Sequence, residues 1–298
     1  MVTPFTPQLE VDYAQAARLA RHLRATGTDT IVVAGTTGES PTLSAEEKLR
    51  LLEVVKEAVG DSPVVCGTGT NCTQATIDFS LRARERGASA LLVVTPYYNK
   101  PPQDALLEHY RSVAQATQLP IIAYNIPSRT GVEMAPATLA QMAEIPNLIA
   151  VKESLSHLEA VSILSSLLEG ESLEGARGFE NFVERRPLEI YSGDDIAILP
   201  ILAVGGVGVI SVAAHVAGNL IREMIEAYFA GRVERAKELH LRLFPLFSGL
   251  FAVTNPILIK EALALQGWEV GALRPPLRRA HPQEREALRQ IMERAGLL

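Results

Sequence analysis

The sequence of 298 residues contains little cysteine and little lysine. Its two cysteines, Cys66 and Cys72, cannot build a disulfide framework, and their spacing matches no zinc motif. The histidines are scattered along the chain without the spacing of a metal site. We therefore expect reduced cysteines and no bound metal.

Positive charge is also scarce, and long apolar runs are missing. The chain has 28 basic against 34 acidic residues, and no basic run could neutralise a string of phosphates. The longest apolar runs, at 90–94 and 197–206, are far shorter than the roughly 18 residues needed to cross a bilayer, and the first residues show no signal-peptide pattern. These absences predict a cytoplasmic protein with no nucleic-acid partner and no membrane attachment.

Apolar residues are plentiful, at 47% of the chain, which is enough for a large core. Length alone suggests about two domains of roughly 150 residues, although an α/β barrel of about 250 residues is one domain. Short apolar runs typical of strands buried on both faces occur at 30–34, 64–66, 90–95, 121–124, 148–151, 189–192 and 208–211.

Segments with helical periodicity lie between these runs. In 44–59, Leu49, Leu52 and Val55 recur at spacings of three, while Ser44 and the glutamate three residues later form a capping box. The same reasoning predicts further helices at 12–26, 71–86, 104–117, 136–143, 157–168 and 214–229.

Seven strand and helix pairs, with residues 1–5 as an eighth short strand, predict an α/β protein of the (β/α)8 TIM barrel class. The main alternative is an open doubly wound sheet, but its glycine fingerprint and a Walker lysine motif are both missing. Residues 231–298 contain no convincing strand, and we expect three more helices there, at 233–246, 256–265 and 283–295. We therefore predict a catalytic barrel over 1–230 and a C-terminal three-helix extension over 231–298 that serves assembly.

Polar residues cluster where the apolar runs end. In a (β/α)8 barrel the active site lies at the carboxyl ends of the strands, so these residues are the candidates. The segments are GTTGES at 35–40, TPYYN at 95–99, YNIPSRTG at 124–131, KES at 152–154, SGDD at 192–195 and GVIS at 208–211.

Lys152 stands out among them, because the chain has six lysines against 22 arginines and the other five do not end an apolar strand. Desolvation on a buried strand favours a neutral amine, which is nucleophilic toward a carbonyl. A structural lysine paired with Glu153 or Asp194 remains the alternative. Tyr124 could relay protons beside this lysine. Arg129 has a planar guanidinium suited to binding a substrate carboxylate, although an arginine that is merely exposed on the surface is more common.

These motifs in this order resemble the pyruvate-dependent class I aldolases, the superfamily typified by N-acetylneuraminate lyase and dihydrodipicolinate synthase, with the synthases the closer match. The similarity continues through NPILIK at 255–260 to the closing AGLL, so it covers essentially the whole chain. It implies condensation of pyruvate with L-aspartate 4-semialdehyde to 4-hydroxy-tetrahydrodipicolinate and water, the first committed step of the diaminopimelate route to lysine. It also implies a lyase that works through a covalent imine and needs no cofactor.

The resemblance implies catalytic roles for four residues. Lys152 would form the imine with pyruvate. Tyr124, Thr37 and Tyr98 would relay protons, and Tyr98 would reach in from the neighbouring subunit of a tight dimer. The implied assembly is a homotetramer built from such dimers.

The resemblance also implies a substrate site. Thr36 and Thr37 would hold the carboxylate of pyruvate, and the Ile210 carbonyl would position the lysine. Arg129 would bind the carboxylate of the semialdehyde, and Gly193 would belong to the same site.

Two other functions remain open. A pyruvate-releasing aldolase of 2-keto-3-deoxy sugar acids or sialate belongs to the same superfamily, but Arg129 within Ser-Arg-Thr-Gly favours a small carboxylated aldehyde. A noncatalytic binding or regulatory barrel would be expected to have lost Lys152 or the tyrosine pair, and all of these are present.

Some features depart from the family pattern. The first strand is short at Met1, which suggests a start upstream, and the stretch 168–187 is long and charged, as in an exposed insertion. Lysine-sensitive relatives carry a glutamate where this chain has Ala75 and a histidine where it has Lys48. The missing anion at position 75 and the added cation at position 48 disfavour binding of lysine, which is itself cationic, as an inhibitor. We therefore predict weak or no feedback inhibition by lysine.

Overall fold

The computed structural model describes residues 1–154, 158–169 and 188–298. Most of the predicted insertion at 168–187 lies outside these residues. Within them, the strands are β1 (Ile31–Val33), β2 (Val64–Gly67), β3 (Ala90–Val94), β4 (Ile121–Asn125), β5 (Leu148–Glu153), β6 (Glu189–Ser192) and β7 (Gly208–Val209).

The helices in the described ranges alternate with the strands up to β7 and then continue alone. They are α1 (Tyr13–Ala25), α2 (Ala45–Val59), α3 (Thr73–Glu85), α4 (Gln103–Thr117), α5 (Pro127–Thr130), α6 (Pro136–Met142), α7 (Leu158–Glu169), α8 (Ile198–Ala203), α9 (Ala214–Phe229), α10 (Val233–Gly249), α11 (Ile257–Leu265) and α12 (Pro282–Ala295), with 3-10 turns at Ser40–Thr42 and Asp195–Ala197.

Helix α2 illustrates how the sequence specifies these elements. The Ser44 hydroxyl accepts a hydrogen bond from the Glu47 N–H, and the Glu47 carboxylate accepts one from the Ser44 N–H. This exchange satisfies donors that a helix start leaves unpaired. Leu49, Leu52 and Val55 form the buried face, so the capping box and the apolar periodicity agree.

One compact unit comprises residues 1–67, 86–88 and 211–298. In it, β1 and β2 pair in parallel, with Ile31 opposite Val64. Helix α9 packs against α1, α10 and α11, and α12 packs against α10 and α11. The three helices predicted after residue 231 are therefore present. The division at residue 230 stays a prediction.

The second unit comprises residues 68–85 and 89–210. Strands β3 to β7 pair in parallel, each with the next strand along the chain. Tyr124 lies opposite Lys152, and Glu153 lies opposite Ser192. Because parallel strands end at the same edge of a sheet, the last residues of β4, β5 and β6 are neighbours.

The alternation of parallel strands with helices confirms the α/β class predicted from the sequence, that of the (β/α)8 barrel. The eighth strand predicted at residues 1–5 does not form in the described structure. Phe5 makes only an isolated antiparallel bridge to Val11. The Val2 N–H is taken by the ring Nε2 of His215, at 3.0 Å, so it is not available to a strand neighbour.

None of the helices in the described ranges combines the length and apolarity that a membrane span requires.

Candidate active site

Lys152 and Tyr124 form the centre of the candidate site in the second unit. They are paired residues of the neighbouring strands β5 and β4, so their side chains point to the same face of the sheet. Both are buried, with Lys152 8% exposed. The lysine amine lies 4.1 Å from the centroid of the Tyr124 ring. The predicted nucleophile and the predicted proton relay are therefore in contact.

Two acidic residues of the second unit, Glu153 and Asp194, could neutralise the Lys152 amine, but neither is close enough to form an ion pair with it. In the described part of the chain, no ion pair within 4.0 Å joins Lys152 to Glu153 or Asp194. Burial raises the pKa of Asp194, and the positive charges of Lys152 and Arg129 oppose that shift. Asp194 therefore lies close enough to Lys152 and Arg129 to interact with both electrostatically.

Glu153 follows Lys152 on β5 and is almost inaccessible, at 2% exposed. Burial raises the pKa of Glu153 to about 8, and the carboxylates of Glu133 and Asp194 act in the same direction. A hydrogen bond from the Asn125 amide, at 3.1 Å, opposes the shift. A pKa of about 8 favours the protonated form of Glu153 at pH 7. Its Oε1 atom has no hydrogen-bond partner among the described residues.

Arg129 lies on the short helix α5, directly after β4, and its side chain is exposed. This helix turns back at Gly131, which has a φ of +74°. The Thr130 hydroxyl donates to the carbonyls of Ile126 and Val132, at 3.1 and 2.8 Å, which ties the turn together. The arginine is therefore presented on the protein surface by a well-ordered turn.

Tyr98 is the most exposed of the predicted catalytic residues, at 88%. Its φ of +74° is rare for a bulky side chain, and the Asn99 N–H donates to the Tyr97 carbonyl across it, at 2.9 Å. This is a strained γ-turn. The Tyr98 N–H in turn donates to the Thr130 carbonyl, at 3.3 Å. The turn projects the phenol away from its own chain.

Backbone hydrogen bonds hold Gly193 beside β5 and Ile210 beside β6. The Gly193 N–H donates to the Glu153 carbonyl, at 2.7 Å, and a Cβ atom at position 193 would lie 1.9 Å from the Ser154 hydroxyl. Any larger residue there would have to displace the Ser154 side chain and would approach the Glu153 carbonyl to 3.0 Å. The Ile210 N–H donates to the Ser192 carbonyl, at 2.9 Å, which extends the parallel pairing of β6 and β7 past the end of β7.

In the first unit, Thr36 and Thr37 occupy a tight turn after β1. The Gly35 carbonyl accepts hydrogen bonds from the N–H groups of Gly38 and Ser40, at 3.1 and 3.3 Å. The Thr37 hydroxyl accepts a hydrogen bond from the Asn255 amide, at 2.9 Å. Both threonines are half-buried, and the hydrogen bond from Asn255 holds the hydroxyl of Thr37.

A buried ion pair anchors this turn from the C-terminal segment. The Lys260 amine lies 2.7 Å from the carboxylate of Glu39, and both side chains are buried. The same amine donates to the Ala272 carbonyl, at 2.9 Å, and lies 4.2 Å from the centroid of the Phe5 ring. Burial lowers the pKa of the Lys260 amine, and the Glu39 carboxylate opposes that change.

Sequence reasoning missed Lys260 as a second buried lysine, because its helical position indicated nothing about burial. It also missed Asn255 and Asn125. Their signal was in the sequence all the same, since both belong to motifs that were noticed, NPILIK and YNIPSRTG. Periodicity identifies buried faces, but it does not identify the partner of a polar side chain.

Comparison with known proteins decides the family. A sequence profile described as the dihydrodipicolinate synthetase family matches residues 1–295. The chain belongs to this family. A family member from Symbiobacterium thermophilum, named 4-hydroxy-tetrahydrodipicolinate synthase, is 50% identical over 300 residues, which cover 100% of this chain and 97% of that protein.

Solved structures of the dihydrodipicolinate synthetase family share the fold. A DHDPS from Cyanidioschyzon merolae with lysine bound is 41% identical, with a TM-score of 0.91 over 100% of this chain and 97% of that one. A protein described as the first monomeric dihydrodipicolinate synthase variant is 38% identical, with a TM-score of 0.92 over 100% of this chain and 95% of that one. The resemblance drawn from the motifs is therefore confirmed.

Proposed function

We propose that this chain condenses pyruvate with L-aspartate 4-semialdehyde and releases 4-hydroxy-tetrahydrodipicolinate and water. It is a lyase of the class I aldolase type and serves lysine and diaminopimelate biosynthesis. The relative from Symbiobacterium thermophilum carries the name of this activity. The structural observation that carries the proposal is the buried Lys152 amine, 4.1 Å from the Tyr124 ring centroid on the adjacent strand.

The first step is formation of an imine between Lys152 and pyruvate. The lysine amine adds to the carbonyl carbon of pyruvate, and the resulting hydroxyl leaves as water once it is protonated. The position of Lys152 supports this role, because its side chain is buried on β5 and its amine lies beside the Tyr124 ring. The protonated imine then withdraws electrons from the neighbouring methyl carbon, so the reaction needs no external cofactor.

Carbon–carbon bond formation follows. The methyl carbon of the imine loses a proton and becomes an enamine, which adds to the aldehyde carbon of the semialdehyde. The amino group of that substrate displaces the lysine and closes the ring, which restores the free Lys152 amine. Tyr124, Thr37 and Tyr98 carry the protons in these steps.

Thr36, Thr37 and Arg129 bind the substrates in this proposal, and Ile210 and Gly193 shape the site around Lys152. Thr36 and Thr37 hold the pyruvate carboxylate, as their paired hydroxyls in a tight turn support. Arg129 binds the carboxylate of the semialdehyde, and its exposure on a fixed turn supports that role. The Ile210 carbonyl orients the lysine, and Gly193 leaves room beside β5.

The proposal includes an assembly. The active form is a homotetramer of tight dimers in the cytoplasm, with a catalytic barrel over 1–230 and an extension over 231–298 that serves assembly. The description of one solved relative as a monomeric variant supports association as the usual state in the family. The exposed Tyr98 supports a tight dimer, because a phenol that points away from its own chain can serve a neighbour.

Borohydride reduction tests the covalent step. With pyruvate present, reduction should attach the pyruvate carbons to Lys152, and peptide mass analysis should find the adduct in the peptide that contains this residue. The Lys152→Ala variant should give no adduct and should lose activity by at least about a thousandfold. An adduct on Lys260 instead, or none in the wild-type protein, contradicts the mechanism.

Substrate choice is tested by turnover. A coupled assay should find much faster use of aspartate semialdehyde with pyruvate than cleavage of 2-keto-3-deoxy sugar acids or sialate. Faster cleavage of the sugar acids would overturn the assignment while leaving the imine chemistry intact.

A further inference from the structure

The chain segment between β4 and α6 carries Arg129, and two side-chain amides bind its last residues. The Gln103 amide donates to the Glu133 carbonyl, at 2.8 Å, and its oxygen accepts from the Ala135 N–H, at 2.9 Å. The Asn125 amide donates to the Met134 carbonyl, at 3.2 Å, and its oxygen accepts from the Met134 N–H, at 3.0 Å. Four successive backbone groups are thus paired as a neighbouring strand would pair them.

Asn125 is itself held in one orientation by Glu153. The two residues are opposite each other on β4 and β5, and both side chains are buried. The Asn125 nitrogen donates to the Glu153 carboxyl, at 3.1 Å, as well as to the Met134 carbonyl. Since its oxygen already accepts a backbone N–H, a flipped amide would face mismatched partners on both sides.

The segment bound in this way supports two residues of the proposed site. Arg129 lies on it, and the Thr130 carbonyl accepts the N–H of Tyr98, at 3.3 Å. Gln103 and Asn125 bind this segment at the backbone groups of Glu133, Met134 and Ala135. They can therefore act on the arginine through the backbone of the segment.

We propose that Gln103, Asn125 and Glu153 form a clamp that positions Arg129 for the carboxylate of the aldehyde substrate. They are positioning residues and touch no substrate. The inference rests on the proposed function, because it takes Arg129 as the binding residue for the second substrate. Loosening the clamp should weaken binding of that substrate and leave the reaction of Lys152 with pyruvate unchanged.

Gln103→Ala is the first test, because Gln103 is only half-buried at the start of α4. The KM for aspartate semialdehyde should rise about tenfold, while the KM for pyruvate and the yield of borohydride adduct on Lys152 stay within about twofold. Gln115→Ala, at an exposed position of the same helix, is the matched control and should change neither KM.

The second test compares two substitutions of Glu153. Glu153→Gln keeps an oxygen that accepts from Asn125, and it should retain the normal KM for the semialdehyde. Glu153→Leu removes that acceptor and should raise the same KM as Gln103→Ala does. Thermal unfolding identifies any Glu153→Leu protein that fails to fold, in which case Gln103→Ala alone decides.

Equal rises in both KM values, or no change in the Gln103→Ala protein, would overturn the clamp. Failure of the wild-type protein to form the Lys152 adduct would instead contradict the proposed function, so the two failures are distinguishable.

Discussion

Glu153 has a strongly raised pKa, although it takes no part in the proposed chemistry. Its folded pKa of about 8 lies above the ordinary value of 4.5, chiefly because of burial, and Glu133 and Asp194 add to the shift. The folded protein therefore retains a proton that the unfolded chain releases between these two pH values. Stability should decline across that interval as pH rises, because the unfolded state binds fewer protons.

We predict that Glu153→Gln removes this decline. The free energy of unfolding of the wild-type protein should fall between pH 4.5 and 8 by up to about 1.4 kcal/mol per pH unit more than that of the variant. Denaturant titrations at several pH values measure the difference. Glu85→Gln, at an exposed site on α3, is the control and should follow the wild-type slope. Parallel slopes for Glu153→Gln and the wild type would show that Glu153 is ionised in the folded state.

Arg129 provides a second prediction for a single residue. In Arg129→Ala the KM for aspartate semialdehyde should rise about 10- to 100-fold, since a charge-assisted hydrogen bond contributes about 1.5–3 kcal/mol. In Arg129→Lys this KM should lie between the wild-type value and that of Arg129→Ala, because an ammonium keeps the charge but lacks the planar fork. Steady-state kinetics combined with borohydride trapping measure both effects. An equal loss of imine formation and semialdehyde binding would count against the role of Arg129.

Among the elements, the turn after β1 depends on distant parts of the chain. Glu39 has a φ of +56°, and its carboxylate meets Lys260 on α11 and the N–H of Arg274. Arg274 also forms a bidentate pair with Glu47 on α2, at 2.6 and 2.9 Å. The turn that holds Thr37 is therefore bound by the C-terminal segment, and that segment is in turn ion-paired with α2.

We predict that Lys260→Met destabilises the protein strongly, although methionine fills a similar volume. The change leaves the Glu39 carboxylate buried without its cation, which costs about 3–5 kcal/mol in comparable cases. Lys237→Met is the matched control, because Lys237 forms an exposed pair with Glu234 and should matter by less than about 0.5 kcal/mol. Denaturant unfolding measures both, and similar small effects would show that the Glu39 pair contributes little.

The sequence could predict most of the elements but few of their polar contacts. Helix α2 was predictable because its capping box and apolar face agree within one stretch of chain. The short helix α5 was not predicted, since its four residues are too few to show a period. Lys152 could be found at a strand end, whereas the pairing of Lys260 with Glu39 joins residues far apart in sequence and has no local signal.

For the whole molecule, the exposed Tyr98 leads to a prediction about assembly. If this phenol serves the neighbouring subunit, Lys152→Ala and Tyr98→Phe proteins are each poorly active alone. Mixed oligomers should regain activity, because one subunit then combines its own Lys152 with the partner's intact tyrosine. Activity after refolding the two variants together measures this. No recovery in verified mixed oligomers would mean that Tyr98 acts within its own chain or not at all.

A second prediction for the whole molecule concerns feedback inhibition by lysine. We predict little or no inhibition by submillimolar lysine, because Ala75 supplies no anion for the ligand's amine and Lys48 adds a like charge. The Cyanidioschyzon merolae relative, in contrast, was solved with lysine bound. Activity measured at rising lysine concentrations tests the prediction, and Ala75→Glu should increase any sensitivity. Strong inhibition of the wild-type protein would contradict it.

The pairing of Glu39 with Lys260 also bears on the order in which the chain can fold during synthesis. Glu39 leaves the ribosome early, but its buried cation and the N–H of Arg274 are made only near the end of translation. Until then the carboxylate must remain hydrated, since burying it alone is too costly. We therefore expect the turn that carries Thr36 and Thr37 to reach its final form late. If these threonines bind pyruvate as proposed, a ribosome-bound chain that lacks its last fifth should be unable to hold it.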